Sequence, residues 1–149
     1  IKDRFNFELL ILGKGNELNN LKNFVDENNL SKNIIFKGYK DDSIKYINKS
    51  NVLIHASKFE GLPNVLIEAQ LQKKLVISSN CPTGPKEILL NGKGGYLFNH
   101  KNYNQLSKIL LNLKKEKKSI KLKIQKSLIN LERFNLEKNC NEYEKIILN

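Results

Sequence analysis

The chain has 149 residues, 40% hydrophobic and 28% charged, with a formal net charge of +11. That length suits one globular domain burying roughly 68–70% of its unfolded surface, and the regular spacing of apolar residues excludes a disordered chain. Two cysteines, Cys81 and Cys140, exclude a disulfide-stapled miniprotein, and the longest apolar run, Leu9-Leu10-Ile11-Leu12, is far short of the ~20 residues that cross a bilayer. Phe5 to Leu12 reads as a buried strand stopped by the turn Gly13-Lys14-Gly15. Leu18, Leu21, Phe24 and Val25 recur at helical spacing until Asn28-Asn29. Ile34-Ile35-Phe36 is the next strand, closed by Gly38. Asp41-Asp42-Ser43 offers N-caps for a short helix through Ile44 and Ile47, and Val52-Leu53-Ile54 is a third strand.

Beyond a loop holding Gly61 and Pro63, the pattern predicts a helix from Asn64 to Lys73. Leu75-Val76-Ile77 is a fourth strand, Pro82-Thr83-Gly84-Pro85 a loop, and Lys86 to Asn91 a short helix. Gly92-Lys93-Gly94-Gly95 turns into a last strand, Tyr96-Leu97-Phe98, and the pattern is helical from Asn102 onward. Strand and helix alternate in short steps, and the strands are continuous apolar runs. Both features predict the α/β class: a Rossmann-like, doubly wound parallel sheet with helices on both faces and C-terminal helices, in one domain over residues 1–149.

In such sheets ligands bind at the carboxyl ends of the strands, so the loops there carry the chemistry. Gly13-Lys14-Gly15 lacks the third glycine of a dinucleotide fingerprint, and reads as a tight turn or a phosphate cradle. In the loop after the third strand, Glu60 and Glu68 bracket a helix start near Asn64. The free amides of Asn64, Val65 and Leu66 would form a diphosphate seat. The two carboxylates would accept hydrogen bonds from sugar and ribose hydroxyls. The alternative is a loop charge and a solvated helix residue. His55, at the end of the third strand, either touches a ligand there or is a hydrogen-bonded strand-end histidine.

The run Glu60-Gly61-Leu62-Pro63-Asn64-Val65-Leu66-Ile67-Glu68-Ala69 resembles the E-x7-E signature of retaining glycosyltransferases of the GT-B fold, the glycogen-synthase-like family 4 (glycosyl transferases group 1). Other blocks follow in the family's order. Leu10 to Gly15 resembles its strand and G-D-G turn, with Lys14 in place of Asp. Ile35 to Tyr39 resembles its next strand and loop. Cys81 to Leu89 resembles its G-x-x-E-I block, in the G-P-K-E-I-L form of surface-polysaccharide enzymes, and Gly92 to Phe98 its n-G-x-L-v strand. The resemblance covers nearly the whole chain and implies the donor-binding, C-terminal half of a GT-B enzyme that transfers a sugar from a nucleotide-sugar, a UDP-sugar, to a glycan or lipid-linked acceptor.

It further implies roles for residues. Glu60, the catalytic candidate, contacts the transferred sugar, and Glu68 the ribose. Amides around Gly61, Leu62, Asn64 and Val65 hold sugar and diphosphate, although Pro63 has no N–H. Gly38, Tyr39 and Lys40 lie near the base, Gly13 near the nucleoside, and Thr83, Gly84 and Pro85 near the sugar or diphosphate. Family 4 enzymes generally need no divalent metal, and neither metal nor cofactor is expected. The chain lacks any Met, so Ile1 is not read as a natural translation start, and the chain is expected to be a fragment or a processed product. The family's acceptor domain, the donor domain's first strand and helix, and the basic pair that neutralises the leaving diphosphate are expected outside these residues. Catalysis is therefore expected of a longer parent and not of this chain alone.

All the basic residues except Arg4 and Arg133 are lysine. Readers of base edges and phosphates rely on arginine forks, so no nucleic-acid partner is expected. Residues 101–126 hold nine Lys and one Glu. They are either ordinary covering helices with lysine-rich solvent faces or a basic amphipathic face for an anionic membrane. The expected location is the cytoplasm, peripheral to the inner face of the membrane. His100 is expected at the surface and Cys140 in helix packing.

Overall fold

A computed structural model describes residues 6–148; Ile1, Arg4 and Phe5, which figure in the sequence reading, lie outside them. In chain order the elements are β1 (Leu9–Leu12), α1 (Leu18–Glu27), β2 (Ile34–Gly38), α2 (Ile44–Lys49), β3 (Val52–His55), α3 (Asn64–Leu71), β4 (Leu75–Ser79), α4 (Pro85–Ile88), β5 (Tyr96–Phe98), α5 (Tyr103–Asn112), α6 (Lys117–Asn130) and α7 (Leu136–Ile147). Every strand pairing is parallel, as the unbroken apolar runs require. The strands form two sheets, β1-β2 and β3-β4-β5. The chain divides correspondingly into two compact units, Ile1–Lys45 and Tyr46–Asn149.

In the first unit Leu9 pairs with Ile34 and Ile11 with Phe36, and an irregularity follows at Leu12. Gly13, at φ 126°, and Gly38, at φ 67°, end the two strands, and the Gly13 amide donates to the Gly38 carbonyl at 2.9 Å. These positive φ values are open to glycine and costly for side chains. Of the apolar stripe expected to bury α1, only Val25 is buried, while Leu21 and Phe24 are 45% and 57% exposed.

The second unit is a three-layer sandwich centred on β4, all five residues of which are buried. Alternation along the strand separates two cores. Val76 packs with Leu66, Ala69, Ile88 and Leu89 under α3 and α4. Leu75 and Ile77 pack with Phe98 and with Leu106, Ile109, Ile120 and Ile124 of α5 and α6. Gly95 sits where a Cβ would lie 2.6 Å from the Val76 carbonyl, so β5 can approach β4 only because that residue is glycine.

Three helix boundaries differ from the sequence reading. α3 stops at Leu71 instead of Lys73, because Lys73 turns left-handed at φ 56° and the Lys74 amide returns to the Ala69 carbonyl at 2.9 Å. The short helix expected to Asn91 ends at Ile88 and passes into a 3-10 turn, Leu90–Gly92, with Leu90 and Asn91 both at φ 53°. The C-terminal helical stretch breaks twice. α7 restarts at Asn135, an extended cap whose side chain accepts the Lys138 amide at 2.9 Å. Cys140, expected in helix packing, is exposed on α7.

Candidate functional site

Parallel pairing of β3 with β4 brings the loops after both strands to the same sheet end, and His55 opposes Ser78 in the register. Ser57 folds the first loop over itself, its hydroxyl donating to the Phe59 carbonyl at 2.8 Å. The Ser79 hydroxyl then donates to the Ser57 carbonyl at 2.5 Å, and Thr83 donates to the Glu60 carbonyl. The two loops are thus latched through side chains of the second gripping backbone of the first. Gly84 makes the closest approach. At φ 84°, ψ −70° it caps α4, and a Cβ there would lie 2.4 Å from the Gly61 carbonyl and 2.5 Å from Pro63 Cδ.

The latch presents the Glu60 side chain to His55, whose Nε2 lies 3.1 Å from Oε1, with the two side chains 17% and 28% exposed. A carboxylate only accepts, so Nε2 carries the proton in this contact. The other ring nitrogen, Nδ1, lies 3.4 Å from the Ser78 hydroxyl. His55 is therefore a hydrogen-bonded strand-end histidine whose partner is the candidate carboxylate.

α3 opens directly behind this loop. Its cap residue, Pro63, is buried and offers no side-chain hydrogen bond to the first turn. Asn64 is exposed and Val65 half-buried. The Leu66 amide, expected to be free, instead donates to the Pro63 carbonyl at 3.0 Å, and Leu66 is buried, which leaves Asn64 and Val65 at the helix start with the field of the helix behind them. Glu68 lies on the same helix, half-buried. Gly61 and Leu62 are exposed, Leu62 to 52%, with Phe59 beside them at 68%. Of the three site residues expected in the second loop, only Thr83 is exposed. Gly84 is buried and Pro85, the first residue of α4, is fully buried, so those two shape the turn.

In the first unit, Gly13 and Gly38 are joined by their hydrogen bond, and Tyr39 and Lys40 are exposed beyond them. Lys14 lies over the Tyr39 ring, its Nζ 5.4 Å from the centroid. The lysine that replaces the usual Asp thus makes a cation–π contact with an exposed aromatic ring. Sequence reasoning missed the latch residues Ser57 and Ser79. They carried no motif, although a serine at a buried strand's carboxyl end was a visible anomaly. Among the described residues no three His, Cys, Asp or Glu side chains gather into a metal-binding group, and no helix is long and apolar enough to cross a membrane.

A family model described as glycosyl transferases group 1 matches residues 1–142. An uncharacterized glycosyltransferase of Methanocaldococcus jannaschii is 40% identical over 84 residues, which is 56% of this chain and 21% of that protein. The N-acetylgalactosamine-N,N'-diacetylbacillosaminyl-diphospho-undecaprenol 4-alpha-N-acetylgalactosaminyltransferase of Campylobacter jejuni is 30% identical over 99 residues, 66% of this chain and 27% of that protein. The crystal structure of Anabaena HepE in complex with UDP-glucose superposes with a TM-score of 0.83 at 18% identity, over 94% of this chain and 40% of that one. The chain therefore spans well under half the length of these relatives.

Proposed function

The chain belongs to the glycosyl transferases group 1 family, and from that premise we propose that it is the nucleotide-sugar-binding part of a retaining glycosyltransferase. The donor is a UDP-sugar, and the acceptor is a glycan or lipid-linked saccharide of a surface polysaccharide. The observation that carries this reading is the pair Glu60 and Glu68 on either side of the uncapped start of α3. In unit two, a carboxylate in a latched loop and a carboxylate on a helix flank the Asn64 and Val65 amides at the helix start. That arrangement suits hydroxyls at both ends and a diphosphate between them.

The chemistry follows from charge. As the bond from the sugar's anomeric carbon to the diphosphate oxygen lengthens, negative charge builds on the phosphate and positive charge on the sugar ring. The amides of Asn64 and Val65 meet the first, and the Glu60 carboxylate, fixed by His55 and positioned on the sugar hydroxyls, is close to the second. In the retaining course the acceptor oxygen arrives on the face from which the diphosphate leaves. Glu68 holds the ribose, and Gly13, Gly38, Tyr39 and Lys40 of the first unit serve the nucleoside. The enzyme works in the cytoplasm at the inner face of the membrane, a reading supported by the diphospho-undecaprenol in the Campylobacter relative's name.

The test is sugar transfer by the full-length protein from a panel of UDP-sugars, with Glu60→Gln and Glu68→Gln alongside. The reading expects both variants to lose transfer and the product to keep the donor's anomeric configuration by NMR. An inverted product would overturn the retaining course. UDP binding without hydrolysis or transfer to any acceptor would favour a non-catalytic nucleotide-binding module.

A further inference from the structure

α6 carries apolar residues on two opposite sides. Ile120 and Ile124 face the core with Leu75, Ile77 and Phe98. Leu122 and Ile129, 51% and 76% exposed, do not. Lys118, Leu122, Gln125 and Ile129 recur at i, i+4, i+7 and i+11, forming one stripe along the outer face. Lys121 flanks that stripe on one side and Lys126 on the other, and all six side chains are exposed. Two large apolar groups therefore stand in the middle of a lysine field.

No Asp or Glu occurs anywhere in α6, and the one acidic residue from 101 to 126 is Glu116. Its carboxylate is engaged by the Tyr96 hydroxyl. Lys123 is turned inward and donates to the Gly92 and Gly95 carbonyls, so its charge does not belong to this face. Lys117, the first residue of α6, and Lys115 just before it, both exposed, extend the field to the helix start.

We infer that the outer face of α6 docks on an anionic phospholipid surface, with Leu122 and Ile129 entering the headgroup boundary and the surrounding lysines meeting lipid phosphates. Charge complementarity selects this occupant. Five exposed lysines, Lys115, Lys117, Lys118, Lys121 and Lys126, fall within the cluster of about 4–8 that reads as anionic-lipid binding, and apolar side chains amid them match the interfacial arrangement. A nucleic acid would draw on the lysines and leave Leu122 and Ile129 without purpose. A protein partner of ordinary kind would want a broader apolar centre and fewer charged groups. The inference stands apart from the donor site, because α6 contributes none of its residues.

The experiment is sedimentation of the full-length protein with vesicles of phosphatidylcholine alone and of phosphatidylcholine mixed with phosphatidylglycerol. Three variants accompany it: Leu122→Ser with Ile129→Ser; Lys118→Gln with Lys121→Gln and Lys126→Gln; and, as a charge-matched control, Lys22→Gln with Lys32→Gln and Lys45→Gln. Circular dichroism and UDP binding verify that each is folded. Binding is expected only to the anionic vesicles and to weaken with salt. The α6 lysine variant should lose roughly fivefold per lysine, about a hundredfold in all, and the serine pair should lose about tenfold. The control should lose far less than the α6 lysine variant.

No partitioning onto anionic vesicles overturns the inference, as does equal loss in the control. If the serine pair binds vesicles like wild type while the lysine variant also releases a DNA duplex, the face is a polyanion site. If the serine pair instead abolishes self-association measured without lipid, the face is a protein interface. Either result contradicts the membrane assignment.

Discussion

Gly84→Ala tests the loop latch in the most local way available. The new Cβ would meet the Gly61 carbonyl oxygen at 2.4 Å and Pro63 Cδ at 2.5 Å, and neither belongs to a flexible side chain. Gly84 also sits at φ 84°, ψ −70°, near the strained γ-turn geometry that L-residues avoid. Strained backbone of this kind costs about 1–3 kcal/mol. Forcing atoms into a packed contact costs about another 1–3 kcal/mol, so the substitution should destabilise by about 2–6 kcal/mol in total. Gly61→Ala is the matched control, because nothing lies within 4 Å of its Cβ and its φ is not left-handed. Urea unfolding of the full-length protein reads both. Gly84→Ala should lower the midpoint with an unchanged slope and weaken UDP binding, since the loop carrying Glu60 must shift; Gly61→Ala should be stable. Equal stability of the two variants would refute the latch.

The remaining expectations concern single residues. Gln70 is fully buried; its Nε2 reaches the Ile88 carbonyl at 3.4 Å, and its Oε1 has no hydrogen-bond partner among the described residues. The Ile88 carbonyl keeps a second donor in Asn130 at 3.3 Å, so Gln70→Met should raise stability by about 1 kcal/mol by removing the orphan oxygen; a loss of stability in urea unfolding would contradict this. Burial and the Glu116 hydrogen bond raise the Tyr96 phenol above its ordinary 10.0. The native state therefore holds that proton more tightly, and its contribution is present below pH 10.0 and lost as pH rises through the folded value. Burial lowers the Lys123 ammonium from its ordinary 10.5, which works in the opposite direction just below that value. Tyr96→Phe isolates the phenol: the stability advantage of wild type over the variant should shrink as pH passes 10.0, and a constant difference would exclude the effect. His55→Ala should lower the turnover of the full-length enzyme with little change in UDP affinity, and His55→Gln, which retains a donor to Glu60, should restore part of it. Equal turnover in both would remove His55 from the positioning of Glu60.

Strand identity and order were legible because a buried parallel strand needs an unbroken apolar run, and Leu9–Leu12, Ile34–Phe36, Val52–Ile54, Leu75–Ile77 and Tyr96–Phe98 all supply one. Helix ends were less legible. Lys73, Leu90 and Asn91 take the left-handed conformation without being glycine, so two of these stops look like ordinary lysine or leucine in the sequence. Asn135 was readable in principle as a cap, but the apolar periodicity of α6 and α7 runs on through it. At the candidate site, Glu60 and Glu68 stood out through their spacing. The contacts that hold its loop did not, because Ser79 reaches the Ser57 carbonyl and Thr83 the Glu60 carbonyl only when β3 and β4 lie side by side. The burial of Gly84 and Pro85 likewise follows from the meeting of two loops.

The central claim is that the Glu60–Glu68 segment receives a UDP-sugar, and the most direct measurement is an NMR titration of the full-length protein with UDP and UDP-sugars, with GDP for comparison. UDP-selective shifts should cluster at Gly38–Lys40 and at Glu60–Glu68 and weaken markedly in Glu68→Ala. Shifts that leave both segments untouched, or an affinity for UDP that Glu68→Ala does not alter, would contradict the account.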